Sequence, residues 1–277
     1  MDKNRRNFLK VAGISTLAGL GGTAVVDRLV AGSSIAHASA APGHNVDQAE
    51  SSKGHGEQGK PSGNRYGMII DIKKFQQDPS LGEKIVSACH STHNVPQFPD
   101  KKDEIKWIWM TNFENAFPDQ ANKYNDEAIK SHQLPILCNH CDQPPCVRAC
   151  PTKATFKNKD GIIMMDYHRC IGCRFCMAAC PYGSRSFNWR DPEKFVQNVN
   201  HVYPRRTRGV VEKCNFCDER VGAGKLPACV EACGESKALV FGNLNDPDSE
   251  IRKMLKENHT IQRNPALGTL PSVFYIV

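Results

Sequence analysis

The sequence predicts an α+β fold of small tandem modules built around cysteines, with an inserted segment and a flexible N-terminal region. Three observations predict it. Twelve of the 13 cysteines fall into three blocks of four, spanning Cys138 to Cys150, Cys170 to Cys180 and Cys214 to Cys233. Short apolar runs at Met68 to Ile72, Ile162 to Met165 and Ala238 to Phe241 are each flanked by a glycine or a loop signal and read as strands. From Asp248 the segment SEIRKMLKEN spaces Ile251, Met254 and Leu255 as a helix, with acidic residues early and lysines late, as the helix dipole favours.

The N-terminus comes first in order. Asn4 to Lys10 reads NRRNFLK, a twin-arginine motif around Arg5 and Arg6, followed by the weakly apolar residues 11–26. Ala36-His37-Ala38 and Ala38-Ser39-Ala40 are candidate cleavage sites. The apolar segment is short and Gly-rich for a membrane span, and Asp27-Arg28 ends it, so residues 1–40 read as a cleaved export signal. Residues 41–64 lack apolar periodicity and are rich in Gly, Ser and charge, which marks a flexible tether. The structured part begins at Arg65.

The first cysteine block runs Cys138-x2-Cys141-x4-Cys146-x3-Cys150-Pro151, and the second runs Cys170-x2-Cys173-x2-Cys176-x3-Cys180-Pro181. A tight loop with three thiolates on successive turns wraps three corners of a [4Fe-4S] cube and leaves the fourth to a distant cysteine. In two-cluster ferredoxins the fourth cysteine of each run ligates the other cluster. The exchange assigns Cys138, Cys141, Cys146 and Cys180 to cluster A, and Cys170, Cys173, Cys176 and Cys150 to cluster B, in bacterial-ferredoxin-like modules. Disulfides and structural zinc fit poorly. Cysteines two and three apart bridge one another only with strain, and zinc usually takes two separated Cys-x2-Cys pairs. Short helices are expected after each fourth cysteine.

The third block is Cys214-x2-Cys217-x11-Cys229-x3-Cys233, and Cys89 stands alone upstream. By the same exchange, Cys214, Cys217 and Cys229 hold three corners of cluster C and Cys89 the fourth. Cys233 is then free, and twelve thiolates account for three [4Fe-4S] clusters.

The run Leu134 to Tyr182, LPILCNHCDQPPCVRACPTKATFKNKDGIIMMDYHRCIGCRFCMAACPY, resembles the iron-sulfur electron-transfer subunits that accompany membrane quinone-interacting proteins and molybdopterin oxidoreductases. Arg65 to Asp71 (RYGMIID) resembles that family's opening strand, and Gly209 to Asn245 its closing module, so the resemblance covers roughly residues 65–277. Family members usually follow the opening strand with Cys-x2-Cys-x2-Cys-x3-Cys and carry a fourth cluster. Here the stretch reads KKFQQDPSLGEKIVSACHSTHNVP, which keeps only Cys89, and Cys233 is followed by Gly234 in place of the usual proline. The losses agree, because the missing cluster would have used the three absent thiolates and Cys233. With its twin-arginine signal, the chain is most similar to the periplasmic iron-sulfur subunits of DsrO type in the Dsr transmembrane complex of sulfur-metabolising prokaryotes. The resemblance implies two partners: an NrfD-like integral membrane quinone-interacting subunit and a multihaem cytochrome c. The implied function is electron relay on the periplasmic side of a sulfur- or sulfite-linked respiratory complex, with no substrate site of the chain's own. The twin-arginine route exports proteins already folded around their cofactors. The alternative is the iron-sulfur subunit of a molybdopterin oxidoreductase of tetrathionate or polysulfide reductase type, against which the three missing cysteines count.

These anchors divide the chain into a signal (1–40), a linker (41–64) and an electron-transfer domain (65–277). Within the domain, residues 138–190 form a central two-cluster module, and residues 65–93 with 205–245 form an outer single-cluster module. Residues 94–137 are an insertion whose Trp107, Trp109 and Phe113 are expected to pack against the far side of the clusters. His90 and His93 flank Cys89 and are expected to face solvent or to hydrogen-bond. His140 and His168 are placed to donate ring N–H groups to cluster sulfur.

The formal charge of +7 looks like a nucleic-acid signal, but residues 1–40 hold five basic and two acidic side chains, leaving +4. Twelve thiolates against three oxidised cores of roughly +2 each subtract about 6 more, so the mature holoprotein is near neutral and no nucleic-acid partner is implied. No Cys-x2-Cys is followed by His, and no Walker loop or GxGxxG fingerprint is present, which excludes attached haem c and nucleotide chemistry at such motifs.

Overall fold

The computed structural model describes residues 63–124 and 126–277. The twin-arginine signal and the linker as far as residue 62 lie outside the described residues. The last linker residues are tied to the domain, because Asn64 Nδ2 donates to Asp160 Oδ1 at 3.1 Å and Asn245 Nδ2 donates to Gly63 O at 2.9 Å.

The run at Met68 forms β1 (Tyr66–Asp71). Alternate side chains of a strand face opposite sides. Met68 and Ile70 therefore enter the main core while Ile69 enters a second apolar layer. Asp71 ends the strand by capping α1 (Ile72–Gln77), accepting the N–H groups of Lys73 and Lys74. Next, α2 (Ser80–Thr92) buries Leu81, Ile85 and Cys89, one stripe at four-residue spacing.

The insertion is an antiparallel ribbon of β2 (Ile108–Asn112) and β3 (Gln133–Leu137), with α3 (Phe113–Ala116) and α4 (Glu127–Ser131) between them. Its aromatics divide. Trp107 is fully buried, stacked on His93 and edge-on to Tyr203, whereas Trp109 is only partly buried and the Lys106 ammonium lies over its ring.

The central stretch holds α5 (Pro145–Arg148), the pair β4 (Thr155–Lys157) with β5 (Ile163–Met165), α6 (Phe175–Ala178), and the pair β6 (Ser186–Phe187) with β7 (Val211–Glu212). The short helices do not follow the fourth cysteines. They carry the third cysteine, Cys146 or Cys176, and stop before the fourth. The reason is Pro151 and Pro181, since a residue before proline is pushed out of the helical region.

After α7 (Asp218–Gly222) and α8 (Ala228–Ala232) come β8 (Leu239–Asn243), α9 (Glu250–Glu257), β9 (Thr260–Ile261) and β10 (Val273–Ile276). β8 runs antiparallel and β10 parallel to β1, in the order β8-β1-β10-β9, so both ends of the described chain meet in one sheet. Helix α9 covers the outer face through Ile251, with Met254 and Leu255 beside it. Gly67 and Gly242 pair in register there, and a Cβ on Gly242 would stand 2.9 Å from Ile251 Cγ2. Bare backbone lets the helix approach. The architecture is mixed α+β, with Cys89, Cys138, Cys214, Cys229 and Cys233 in the core group under the sheet and Cys146 and Cys176 packed with Ile163 and Val211 of the short β pairs.

Candidate cluster-binding centre

The three Cys-x2-Cys loops share a backbone device. The residue before the second cysteine is left-handed in each: His140 at φ 42°, Gly172 at φ 69° and Phe216 at φ 55°. For His and Phe such a backbone stores roughly 1–3 kcal/mol each, and surrounding contacts must hold it. They do so mutually, because the His140 and Phe216 rings stack with centroids 3.6 Å apart. At Gly172 no side chain fits, since a Cβ would meet Gly209 O at 2.5 Å. Gly172→Ala is therefore expected to destabilise its loop by about 1–3 kcal/mol and to release iron on mild warming before the unmodified protein does. Iron retained after gel filtration measures this.

Cys138, Cys141, Cys146 and Cys180 line one small cavity with Ile163 and Arg185. Cys180, from the second block, thus lies beside three thiols of the first block. Burial, reinforced by Cys138, pushes the Cys141 thiol up to about 12, and the same causes raise Cys180.

Cys89, Cys214, Cys217 and Cys229 are all buried. Burial and then the neighbouring charges of Cys214, Cys229 and Cys217 push Cys89 well above the ordinary thiol range, and burial with Cys217 and Cys214 does the same to Cys229. Packing of α2 on α8 brings Cys89 and Cys229 together. Cys233 stands at the C-terminal end of α8. Burial raises its thiol, while a backbone hydrogen bond at Leu239 and the charge of Lys74 oppose that rise.

The remaining four thiols are the more open set. Cys176 is buried, whereas Cys150, Cys170 and Cys173 are half-buried. Cys176 is raised by burial, relieved by Arg185 and pushed by Cys146 and Cys170. Burial acts to raise Cys150 as well, but hydrogen bonds from Thr155, Thr152 and Ala154 outweigh it and hold the thiol low. None of the groups acting on Cys150 is a thiol.

Neighbouring sets touch. Cys146 and Cys176 pack in one apolar group with Ile163 and Val211. Cys138 is the first neighbouring charge that acts on Cys214 after burial. The thiols of the first cavity thus lie between the other two sets.

The donor set fits iron-sulfur clusters. Backbone N–H groups of Phe216 and Ala228 donate to Cys214 Sγ at 3.4 Å and Cys217 Sγ at 3.3 Å, and Arg185 Nη2 donates to Cys146 Sγ at 3.1 Å. Such bonds favour thiolate over thiol. His140 Nδ1 accepts the Ile163 N–H at 3.1 Å, so the ring proton sits on Nε2, which is buried near the Cys214 backbone but makes no well-formed hydrogen bond. Asn139 is similarly buried and unpartnered. Buried donors normally find acceptors, and these two lie in the loop between Cys138 and Cys141, where cluster sulfur would supply one.

The other histidines depart from expectation in part. The His168 side chain is 100% exposed beside Asp166 and reaches no thiol, because its loop turns outward at Asp166. His93 takes the hydrogen-bonding role of the two expected, buried with Nε2 donating to Glu219 Oε1 and Nδ1 to Cys89 O, both at 2.9 Å. Burial opposes its protonation, but bonds with Cys217 and Glu219 prevail and lift it to about 9. His93, Cys217 and Glu219 could together suggest a metal site. With both ring nitrogens donating to oxygens, His93 has no lone pair for one. His90 is half-buried, and burial lowers it to about 4.

An open groove of about 600 Å³, lined in part by Tyr167, Tyr203, Asn215 and Glu219, lies beside the outer thiols. It presents no nucleophile paired with a base. Sequence reasoning missed Arg185 and Lys213, both buried among the thiols. Their only signal was adjacency to cysteine, Lys213 directly before Cys214.

Comparison with known proteins agrees with this chemistry. Residues 129–210 match the 4Fe-4S dicluster domain family. The chain is 44% identical over 229 residues to the Hdr-like menaquinol oxidoreductase iron-sulfur subunit 1 of Archaeoglobus fulgidus, covering 76% of this chain and 82% of that protein. It is 34% identical over 239 residues to the menaquinone reductase iron-sulfur cluster-binding subunit of Nitratidesulfovibrio vulgaris, covering 76% and 88%. It is 35% identical over 218 residues to protein NrfC of Escherichia coli, covering 78% and 82%. Thiol loops, sulfur-directed donors and these relatives converge: the chain belongs to the family of [4Fe-4S] electron-transfer subunits of oxidoreductase complexes, and is not a catalytic subunit.

Proposed function

We propose that the chain carries three [4Fe-4S] clusters in the order B, A, C. Cys170, Cys173, Cys176 and Cys150 hold B; Cys138, Cys141, Cys146 and Cys180 hold A; Cys214, Cys217, Cys229 and Cys89 hold C; and Cys233 stays free. Each bound cluster supplies a one-electron couple. The protein's own part is to fix the spacing, to exclude water through core residues such as Ile163 and Phe216, and to aim N–H donors at sulfur.

The observation that carries this reading is the chain of adjoining thiol sets, Cys176 against Cys146 and Cys138 beside Cys214. Two further features support it. The half-buried thiols of B make one end of the path accessible to a partner. At the other end, the stretch where the family's first cysteine motif would stand forms α2, whose Ile85 is fully buried, which suits loss of a terminal centre.

In the complex, the chain relays electrons on the periplasmic side between an NrfD-like membrane quinone-interacting subunit and a multihaem cytochrome c, as in DsrO-type subunits of sulfur-linked respiration. The menaquinol oxidoreductase and menaquinone reductase relatives support a quinol-linked path. Residues 65–277 act as one electron-transfer domain, comprising the central module 138–190 and the outer module 65–93 with 205–245. Export follows from Arg5 and Arg6. No described helix is long and apolar enough to cross a membrane.

The test uses native membranes. A menaquinol analogue is expected to reduce the clusters in the intact complex, and deletion of the polytopic subunit is expected to leave a cluster-bearing chain that quinol no longer reduces. Equal reduction without that subunit contradicts the reading. Replacing Arg5 and Arg6 by Lys is expected to hold the cluster-loaded precursor in the cytoplasm, and normal export of that variant refutes the twin-arginine assignment.

A further inference from the structure

Arg185 and Lys213 are 5% and 1% exposed, deep among the thiols. Arg185 Nη2 donates to Cys146 Sγ at 3.1 Å and Nη1 to Thr155 Oγ1 at 2.8 Å. The same guanidinium also acts on Cys176, a thiol of the next set. Lys213 Nζ donates to Cys214 O at 2.7 Å and to Ile163 O, a residue that lines the first cavity. The anionic groups facing Lys213 are Cys138, Cys214 and Cys146, and those facing Arg185 are Cys146, Cys176 and Cys138. The groups acting on Arg185 are thiols, whereas Lys213 also acts on the Asp218 carboxyl; burial and Arg185 lower the Lys213 ammonium, and the three thiols oppose that.

A buried cation is strongly disfavoured unless anions stand beside it, and the thiols are the leading anions acting on both side chains. Four thiolates around an oxidised cubane core leave each cluster net negative by roughly two charges. The two cations are also distributed unevenly. One sits in each gap between neighbouring thiol sets, which gives the middle set two cations and each end set one.

We infer that Arg185 and Lys213 are positioning residues that set the relative potentials along the electron path, Arg185 for clusters A and B, and Lys213 for clusters A and C. A fixed cation stabilises the reduced state, which carries one more negative charge, and the low-dielectric interior strengthens the effect. The central cluster would otherwise face repulsion from a reduced neighbour on either side. Two adjacent cations offset that repulsion and keep A reducible while B or C holds an electron. This inference rests on the three-cluster reading.

The experiment is a redox titration of the anaerobic holoprotein monitored by electron paramagnetic resonance, with iron counted in every sample. Arg185→Gln is expected to make A and B harder to reduce on the order of tenfold, about 59 mV for a one-electron couple, and to leave C unmoved. Lys213→Met is expected to shift A and C similarly and leave B unmoved. Arg185→Lys and Lys213→Arg keep the charge and should keep the potentials. A variant that loses a cluster hands the test to its charge-conserving counterpart, where unchanged potentials support the inference and potentials lowered by the full shift overturn it. Uniform shifts of all three clusters, or none, in fully loaded variants overturn it too. An iron count far from about 12 in the unmodified protein overturns the three-cluster reading and this inference with it; a count near 12 with uniform shifts overturns the inference alone.

Discussion

Glu212→Ala is expected to lower the stability of the chain by about 3–5 kcal/mol, because it strands a buried guanidinium. Glu212 Oε2 accepts from Arg206 Nη2 at 2.7 Å, and the two side chains are 0% and 1% exposed. The same carboxylate accepts from Trp107 Nε1 at 3.0 Å and from Asn188 Nδ2 at 2.5 Å. Arg206 also donates to the carbonyls of His93 and Asn94, just past α2. Four segments distant in sequence are thus joined through one carboxylate: the end of α2, the start of β2, the residue after β6, and β7. Removing it leaves Arg206 charged and buried and orphans two further donors, each costing about 1–3 kcal/mol when unsatisfied. The control is Glu250→Ala at an exposed pair with Lys237, where the two side chains are 56% and 64% exposed. That change is expected to cost less than about 1 kcal/mol. Denaturant midpoints of the two holoprotein variants compare them directly, and equal losses would show that the buried network contributes nothing special.

Cys89→Ala and Cys233→Ala are expected to have opposite fates although both thiols are buried in the same core group. Cys89 lies with Cys214, Cys217 and Cys229, and its replacement should remove or convert one cluster and loosen the contact of α2 with α8. Cys229→Ala should do the same from the other helix. Cys233 sits one helical turn beyond Cys229, with Lys74 and the Leu239 backbone acting on it, and Cys233→Ala should keep every cluster. Electron paramagnetic resonance of the reduced variants, with iron counted alongside, separates them. Cluster loss in Cys233→Ala with full retention in Cys89→Ala would reverse the ligand assignment.

Features set by local spacing were the legible ones. Cys138 to Cys150 and Cys170 to Cys180 announce their loops because cubane ligation imposes short, fixed intervals. β1, β5 and β8 were readable from apolar runs, and α9 from the spacing of Ile251, Met254 and Leu255. The short helices were misplaced because proline's effect on Cys150 and Cys180 outweighs the helix tendency beyond them. The β2–β3 ribbon escaped notice, since its register depends on partners across the insertion and Pro135 interrupts one strand. Buried charge was the least legible feature. Arg185, Lys213, Arg206 and Glu212 belong to types that are almost never fully buried unless paired, and partners such as Cys146 for Arg185, Ile163 for Lys213, His93 for Arg206 and Trp107 for Glu212 lie far away in sequence. His168 went astray for the same reason, because its full exposure is decided by where its loop lies in the fold, not by its distance from a cysteine.

The central claim is that twelve cysteines hold three cubane clusters and the thirteenth holds none. The most direct test is the iron and acid-labile sulfide content of anaerobically purified, export-processed protein, with zinc measured in the same sample. About 12 iron and about 12 sulfide per chain with negligible zinc are expected. A content near 16 of each, or near 8 in fully folded protein, or stoichiometric zinc, would contradict the claim.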